Sequence, residues 1–569
     1  MGYKFGIRVP RTTEEALKLD DENGNDLWRR AIQREMEKVR VAFQLLERGA
    51  APPPGHQFIT LHMIFDIKMD FMRKARLVAG GHMTETPAAS TYSSVVSRDS
   101  VRIIFLITAL NDLDILMSDV GNAYLNASPR EKVYCVAGKE FGVEDEGKIA
   151  IIVHALYGLK SSGAAWRAHF AQSLSELGFK PSLADPDVWL KPAVKADGTK
   201  YYEYILVYVD DQLSVSENPK WITDALQGKP WEYELKGVKS PDLYLGATIG
   251  HEHFDGIGET WFISARGYLD KAIPQIEECF GPLQHLFRNK TLSVPASPGY
   301  HPEIDESNYL DDDFTSLYLS YVGILRWAVE LSRVDLAYTA STLAKFMAAP
   351  REGHLIGLLH AFAYTKKHMN SRIVVDPLPR DWSEIEWANA DWSEFYPDAK
   401  EELPANMPEP RGKPVQINLF VDAAHATCLA SRRSTTGVVI FLNGTPVKWY
   451  SKRQNTIETS TFGSEFVALK IAVEMNESLR YKLCMFGVPI DGPTNTFCDN
   501  QSVVNNVTKP ESTLQKKHNS VAYHKVRESV AAGAIRIRFE PGTENLADLL
   551  AKFLPAPAHQ HCAGSILWH

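Results

Sequence analysis

The chain is poor in the features that would place it outside a cell or in a bilayer. Its six cysteines (Cys135, Cys279, Cys428, Cys484, Cys498, Cys562) are scattered over 569 residues with no Cys-x-x-Cys pair, which argues against a disulfide framework and a zinc site. A reducing compartment is the expectation. No apolar run approaches the ~20 residues that span a bilayer, and the N-terminal MGYKFGIRVPRTTEE lacks the apolar centre of a secretory signal, so no membrane partner is expected. Positive charge is also scarce: 61 Lys and Arg against 70 Asp and Glu leave a formal net charge of −9. A polyanionic partner would have to be met by local basic strips, since the field of the whole molecule repels it. The length calls for several domains, each able to bury its own core, and no internal repeat divides them.

What the chain does have is acids at the ends of apolar segments. In YILVYVDDQLSV, Ile205, Val207 and Val209 alternate with Leu206, Tyr208 and Asp210, and Leu213 and Val215 resume the pattern, so a strand runs up to Asp210-Asp211 and another runs away. Two adjacent carboxylates at such a bend are costly unless a cation shares them. A second apolar segment ends on Asp119, with Tyr124 five residues later. Three carboxylates on neighbouring strand ends suit a pair of Mg²⁺ ions, which take oxygen ligands, and Mn²⁺ accepts the same donors. The second half carries its own acids: Asp422 in INLFVDAAHA, Glu465 at the start of a long helix in TSTFGSEFVALK, Asp499 after TNTFC, and Asp548 in ENLADLLAKFLP.

The segments SDVGNAYLNA, ALYGLKSSGAAW, ILVYVDDQL, YLGATI and LSRVDLAYTASTLAKFM together resemble the reverse transcriptases of copia-type LTR retrotransposons. The resemblance implies an α/β (α+β) chain: a right-hand polymerase fold of fingers, palm and thumb or connection, followed by a ribonuclease H-like α/β domain. It implies that Asp119, Asp210 and Asp211 are the polymerase carboxylates, that Tyr124 is the steric gate beside Tyr208, and that Lys74 and Arg76 of RKARLVAGG meet the incoming triphosphate. Asp422, Glu465, Asp499 and Asp548 follow the family's order of strand, helix, strand-end and late-helix acids for the ribonuclease H site. Two Mg²⁺ per site are then expected. Lys160, Arg432, Arg433, Lys452, Arg453, His518 and His524 are expected to contact nucleic acid, the basic ones through backbone phosphates. No His stands in the loop just before Asp548, so no general base is assigned there.

The implied function is RNA-directed DNA polymerisation with hydrolysis of the RNA strand of the hybrid. The expected partners are an RNA template, a DNA or tRNA primer, dNTPs and the RNA–DNA hybrid. The implied location is a cytoplasmic virus-like particle, with the nucleus as a second location. Oligomeric state and primer identity are not legible. Two other readings stand beside it, an inactive relic or co-opted nucleic-acid-binding protein, and a nuclease alone. The nuclease reading draws on Ser161-Ser162-Gly163, where relatives read Gln-Ser-Pro, and the question of activity draws also on Gly463, where relatives often carry an additional acid. The chain has no Asp-Thr/Ser-Gly protease triplet and no His/Cys integrase run, so it resembles the polymerase and ribonuclease H end of a polyprotein.

Boundaries follow from composition. Residues 1–55 read as an amphipathic helix over 27–48 closed by APPPG; 56–290 as fingers and palm; 291–375 as a helical thumb or connection. Residues 376–414, rich in Pro, Trp and acids, read as a linker with a docked piece near Trp387 and Trp392; 415–555 as the ribonuclease H-like domain; 556–569 as a frayed tail.

Overall fold

The computed structural model describes residues 2–4, 7–67, 71–86, 91–279, 292–514 and 520–569. The expected boundary at 290/291 and the expected contact His518 lie outside the described residues. Among the described residues, no helix is long and apolar enough to cross a membrane. The chain is mixed helix and sheet, as its pattern implied.

The apolar face of α1 (Leu27–Val39), made by Trp28, Ala31, Ile32, Met36 and Val39, packs on the hairpin of β1 (Leu61–Ile67) and β2 (Arg73–Ala79). Trp28 meets Phe65 edge-on with centroids 5.5 Å apart. The helix expected to run to residue 48 stops at Val39. After a 3₁₀ turn, Phe43–Leu45 pairs antiparallel with Ile149–Ile152. Phe43 continues the helical apolar spacing, but a pleated partner at Ile152 buries it equally well, and that cross-strand pairing prevails.

The next layer is a six-stranded antiparallel sheet, ordered Lys180–Pro181, β4 (Val188–Val194), β5 (Lys200–Tyr208), β6 (Asp211–Ser216), β3 (Asp114–Val120), β7 (Leu235–Lys239). Helices α2 (Arg98–Leu110) and α3 (Ser162–Glu176) back it. Helices α4 (Asp312–Leu331), α5 (Ala337–Leu343) and α6 (Glu352–Lys367) follow. The second sheet is ordered β10 (Thr445–Arg453), β9 (Thr435–Leu442), β8 (Ile417–Ala424), β11 (Thr494–Cys498), β12 (Ile535–Phe539). Its first three strands form an antiparallel meander, and β11 and β12 join parallel to β8. Helices α7 (Thr461–Met485) and α8 (Asp548–Ala551) pack on it.

These parts do not have separate cores. One apolar cluster runs from Val96 through both sheets and the intervening helices to Leu567. The two residue groups outside it are the α1 layer and the underside of the first sheet around Trp166 and Phe170. Residues 376–414 form no helix or strand, yet they are docked along most of their length and are not a free tether. Trp382 and Trp387 pack on Phe497 with centroids 4.7 and 5.9 Å away, and Glu401 takes a bidentate ion pair from Arg480. The strap then lands on the first sheet, where Gly412 donates to the Lys200 carbonyl. The tail does not fray: α9 (Ala556–Ile566) buries Cys562, Ala563 and Ile566, and Trp568 pairs with Arg372. Its apolar side chains recur at helical spacing, and Pro557 stands in the first turn, where its missing N–H costs nothing.

Candidate active sites

The first acid group is set by strand register. Asp211 on β6 lies directly opposite Asp119 on β3, and Lys236 on β7 lies opposite Asp119 on the other side. Asp210 occupies the β5–β6 turn, where Tyr208 pairs with Asp211. Val209 in that turn has φ of 59°, an αL conformation that a β-branched residue adopts only under constraint. The constraint is visible. The Trp166 indole N–H donates to the Val209 carbonyl at 2.7 Å, and the Val120 N–H donates to the Asp210 carbonyl at 2.8 Å. Trp166 is buried and stacked on Phe170.

Burial, then the neighbouring Asp210 and Asp119 carboxylates, push Asp211 up to about 6. Asp119 is raised by burial and by Asp210, while Lys236 and Lys74 act against the rise. The charge of Lys74, on β2, is thus felt at Asp119. Arg76 lies over the Tyr157 ring at 4.0 Å, and Tyr157 meets Tyr124 edge-on with centroids 4.8 Å apart. Tyr124 is raised by burial and by Asp210, which puts its hydroxyl in the field of the acids. Tyr208 is half-exposed at the end of β5.

Sequence reasoning missed Trp166, Tyr157, Glu234 and Lys236 here. Glu234 pairs with Lys236 at 3.1 Å, and a Cβ on Gly121 would stand 2.6 Å from Glu234 Oε2, so the glycine admits that pair beside Asp119. Only the pairing of β7 with β3 reveals it. Lys160 gives its ammonium to the Thr84 carbonyl at 2.5 Å, so it ties the loop around Thr84 to the start of α3. Ser161 and Ser162, the first departure from the family, are fully used: Ser161 N–H donates to Glu131 Oε1 at 2.9 Å, and Ser162 Oγ to the Leu156 carbonyl at 2.6 Å.

The second acid group converges from four elements. Asp422 ends β8, Asp499 follows β11, Glu465 stands in the first turns of α7, and Asp548 opens α8. Ser460 caps α7, accepting from Gly463 N–H at 3.2 Å. Gly437 pairs with Asp422, and a Cβ there would stand 2.5 Å from the Ala547 carbonyl. The bare α-carbon lets α8 lie on the sheet and brings Asp548 beside Asp422. Oxygens of Asp422, Asp499 and Asp548 come within 4.8 Å of one another, and Glu465, Cys498 and Asp499 form a second such group. Asp119, Asp210 and Asp211 do not converge as tightly among the described residues.

Asp422 is 1% exposed, and its Oδ2, like Oε2 of Glu465, is buried without a hydrogen-bond partner. Burial and the mutual repulsion of the acids hold Asp422, Glu465 and Asp499 above the usual carboxylate range. The crowded carboxylate oxygens of Asp422, Asp499 and Asp548, with the orphaned oxygens of Asp422 and Glu465 among the acids, fit a hard divalent cation, and the Cys498 sulfur stands beside Glu465 and Asp499. Lys552, unassigned from sequence, places its ammonium 2.7 Å from Asp548 and 3.7 Å from Asp422. Burial alone would lower it, but the two carboxylates outweigh burial and hold it above its ordinary value. At the second departure, the Glu458 carboxylate lies 2.4 Å from where a Gly463 Cβ would stand, so an acid from another position fills that space.

Of the remaining expected contacts, Arg432 and Lys452 are exposed and Arg433 and Arg453 half-buried at one end of β9 and β10. The exposed His524 hydrogen-bonds the strap's Tyr396 at 2.7 Å.

With this geometry in hand, comparison with known proteins is direct. Residues 49–277 match the family described as reverse transcriptase (RNA-dependent DNA polymerase). The chain is 24% identical over 567 residues to the retrovirus-related Pol polyprotein from transposon RE1 of Arabidopsis thaliana, covering 98% of this chain and 34% of that one. It is 22% identical over 578 residues to the Pol polyprotein from transposon TNT 1-94 of Nicotiana tabacum, covering 99% and 39%. The chain thus spans a little over a third of the length of these relatives. A solved foamy viral protease-reverse transcriptase in complex with double-stranded DNA aligns over 90% of this chain and 69% of its own, at 12% identity and a TM-score of 0.44.

Proposed function

Since residues 49–277 carry the reverse transcriptase pattern and the resemblance to copia-type retrotransposon Pol polyproteins extends over nearly the whole chain, we propose that it copies RNA into DNA at its first acid group and hydrolyses the RNA of the resulting hybrid at its second. The observation that carries this reading is the pairing of two separate acid groups in one molecule, the Asp119/Asp210/Asp211 row and the Asp422/Glu465/Asp499/Asp548 cluster.

At the first group the residues bind and orient. Asp119 and Asp211, fixed by register, present carboxylates on one face, and the strained turn holds Asp210 beside them. Lys74 and Arg76 enter from β2 on the side where a triphosphate would neutralise them. The Tyr124 ring, packed against Tyr157, cannot swing away freely, which suits a wall that excludes a 2′-hydroxyl. Bound divalent cations, two per site, would supply Lewis-acid activation of the attacking oxygen and neutralise the leaving group. At the second group the orphaned oxygens of Asp422 and Glu465 are the ligands in waiting. Substrates in this reading are an RNA template, a DNA or tRNA primer and dNTPs.

The relic and nuclease-only readings leaned on the altered YGLK segment. There Ser161 and Ser162 are hydrogen-bonded into the start of α3, and Trp166 four residues after Ser162 holds the Val209 turn. These contacts support the polymerase reading over the other two. The test is extension of a labelled DNA primer on RNA with Mg²⁺ and dNTPs. Asp210→Asn should lower extension by roughly 10²–10³-fold or more and leave hybrid degradation intact. Asp422→Asn should do the reverse. A folded wild type that extends nothing would sink the polymerase reading.

A further inference from the structure

Most cations of this acidic chain are engaged, many in ion pairs such as Arg480 with Glu401 or Lys482 with Asp99. One place departs from that. Between α4–α5 and the β10 edge of the second sheet lies a cavity of about 510 Å³ lined by Arg326, Lys345, Arg433, Lys452 and Arg453, with Glu330 as its acid. Among the described residues none of these five cations forms an ion pair. Lys345, half-buried, is held below its usual value by burial and then by Arg453 beside it, with Cys428 and Glu303 acting against that shift.

The walls differ in origin. Arg326 comes from α4, and Lys345 from the 3₁₀ turn after α5; Arg433, Lys452 and Arg453 come from β9 and β10. Ala337, Ala340, Ser341 and Ala344 floor the helical side, so no long side chain fills the space. Trp449 and Tyr450 offer apolar surface on the other, with Arg102 stacked on Trp449 at 4.0 Å.

The cavity also has a direction. Ser451 pairs with Gly437, which pairs with Asp422, so the Lys452–Arg453 end of β10 stands level with the second acid group, two strands away. Two strand spacings are about 10 Å. A second cavity of about 280 Å³ shares Lys345 and Arg453 with the first and is also lined by Lys552, whose ammonium touches Asp548, and by Glu303, which is paired with His301. A basic path thus leads from the helical layer to the hydrolytic acids.

We propose that this two-walled cleft holds the backbone phosphates of the substrate duplex next to the cut, with Arg326 and Lys345 of the polymerase-side helices supplying the half that the ribonuclease H-like module lacks. The inference rests on the function proposed above and deepens it. Adjacent cations set on both sides of an open trough, with aromatic faces between them, match a phosphate track better than a small-molecule pocket. The contacts carry charge and no base edge, so they position any sequence equally.

The test is the salt dependence of binding by the full chain to a short RNA–DNA hybrid, measured by anisotropy in Ca²⁺ alongside primer extension and hybrid degradation in Mg²⁺. Arg326→Gln and Lys345→Met should each lower the slope of log K against log salt by about one and weaken binding alike for unrelated sequences. Lys345→Arg should keep the slope, and Lys220→Ala, a distant pair with Asp224, should leave it unchanged. Wild-type slopes in both variants, with extension and degradation intact, would overturn the cleft and leave the function standing. Reduced slopes in a chain that neither extends nor degrades would keep the cleft and overturn the function.

Discussion

Asp422 shows what one carboxylate costs in a fold arranged for a cation. Its raised protonation means the folded chain binds a proton more tightly than the unfolded chain does. The stability tied to that proton is therefore present below the ordinary carboxylate range and lost as pH climbs through the raised value. In EDTA at pH 8, Asp422→Asn should raise the melting temperature, by about 1 °C for each kcal/mol of repulsion relieved in a cooperative unit of this size. The gain should shrink toward zero near pH 4. Mg²⁺ should stabilise wild type more than the variant. A variant that melts lower than wild type at pH 8 would show that Asp422 is held by contacts instead of strained by them. The acid itself was legible because its flanks alternate as a buried strand. Lys552, which offsets it, was not, because a lysine four residues after an acid on an apolar helix reads as an ordinary surface pair.

At the level of elements, the β5–β6 hairpin was legible to the residue, since period-two alternation stops at Asp210-Asp211 and resumes after it. What holds its turn was not. Trp166 lies on α3, 43 residues earlier than the carbonyl it meets, and an aromatic at helical spacing reads as core. Trp166→Phe keeps the packing and removes the N–H, leaving the Val209 carbonyl short of a partner at a cost of roughly 1–3 kcal/mol. Primer extension should fall by about tenfold in kcat with little change in KM for the primer, while hybrid degradation stays unchanged. An equal loss in both activities would mean a general packing defect. The overlong reading of α1 has the same root, since apolar spacing at Phe43 cannot tell a helix from a strand whose partner lies over 100 residues away.

At the scale of the whole molecule, composition located the change at residue 376 but misread its meaning. Pro, Trp and acids without a period look like a tether, yet Trp382, Trp387 and Glu401 each find partners on the second sheet and its helices. Partners of that kind are tertiary and leave no local trace. Because one apolar cluster joins both sheets, calorimetry should show a single main transition for residues 96–567. Two well-separated transitions would mean that the modules melt independently.

The same continuity bears on how the molecule is made. Tyr204 of the first sheet is fully buried, and its hydroxyl donates to the Phe486 carbonyl at 2.8 Å, 282 positions further along. At about 5–20 residues per second of synthesis, that partner leaves the ribosome roughly 15–60 s after the tyrosine. For that interval the first sheet carries an apolar face that its later partner has yet to cover, so synthesis arrested before Phe486 leaves that face bare.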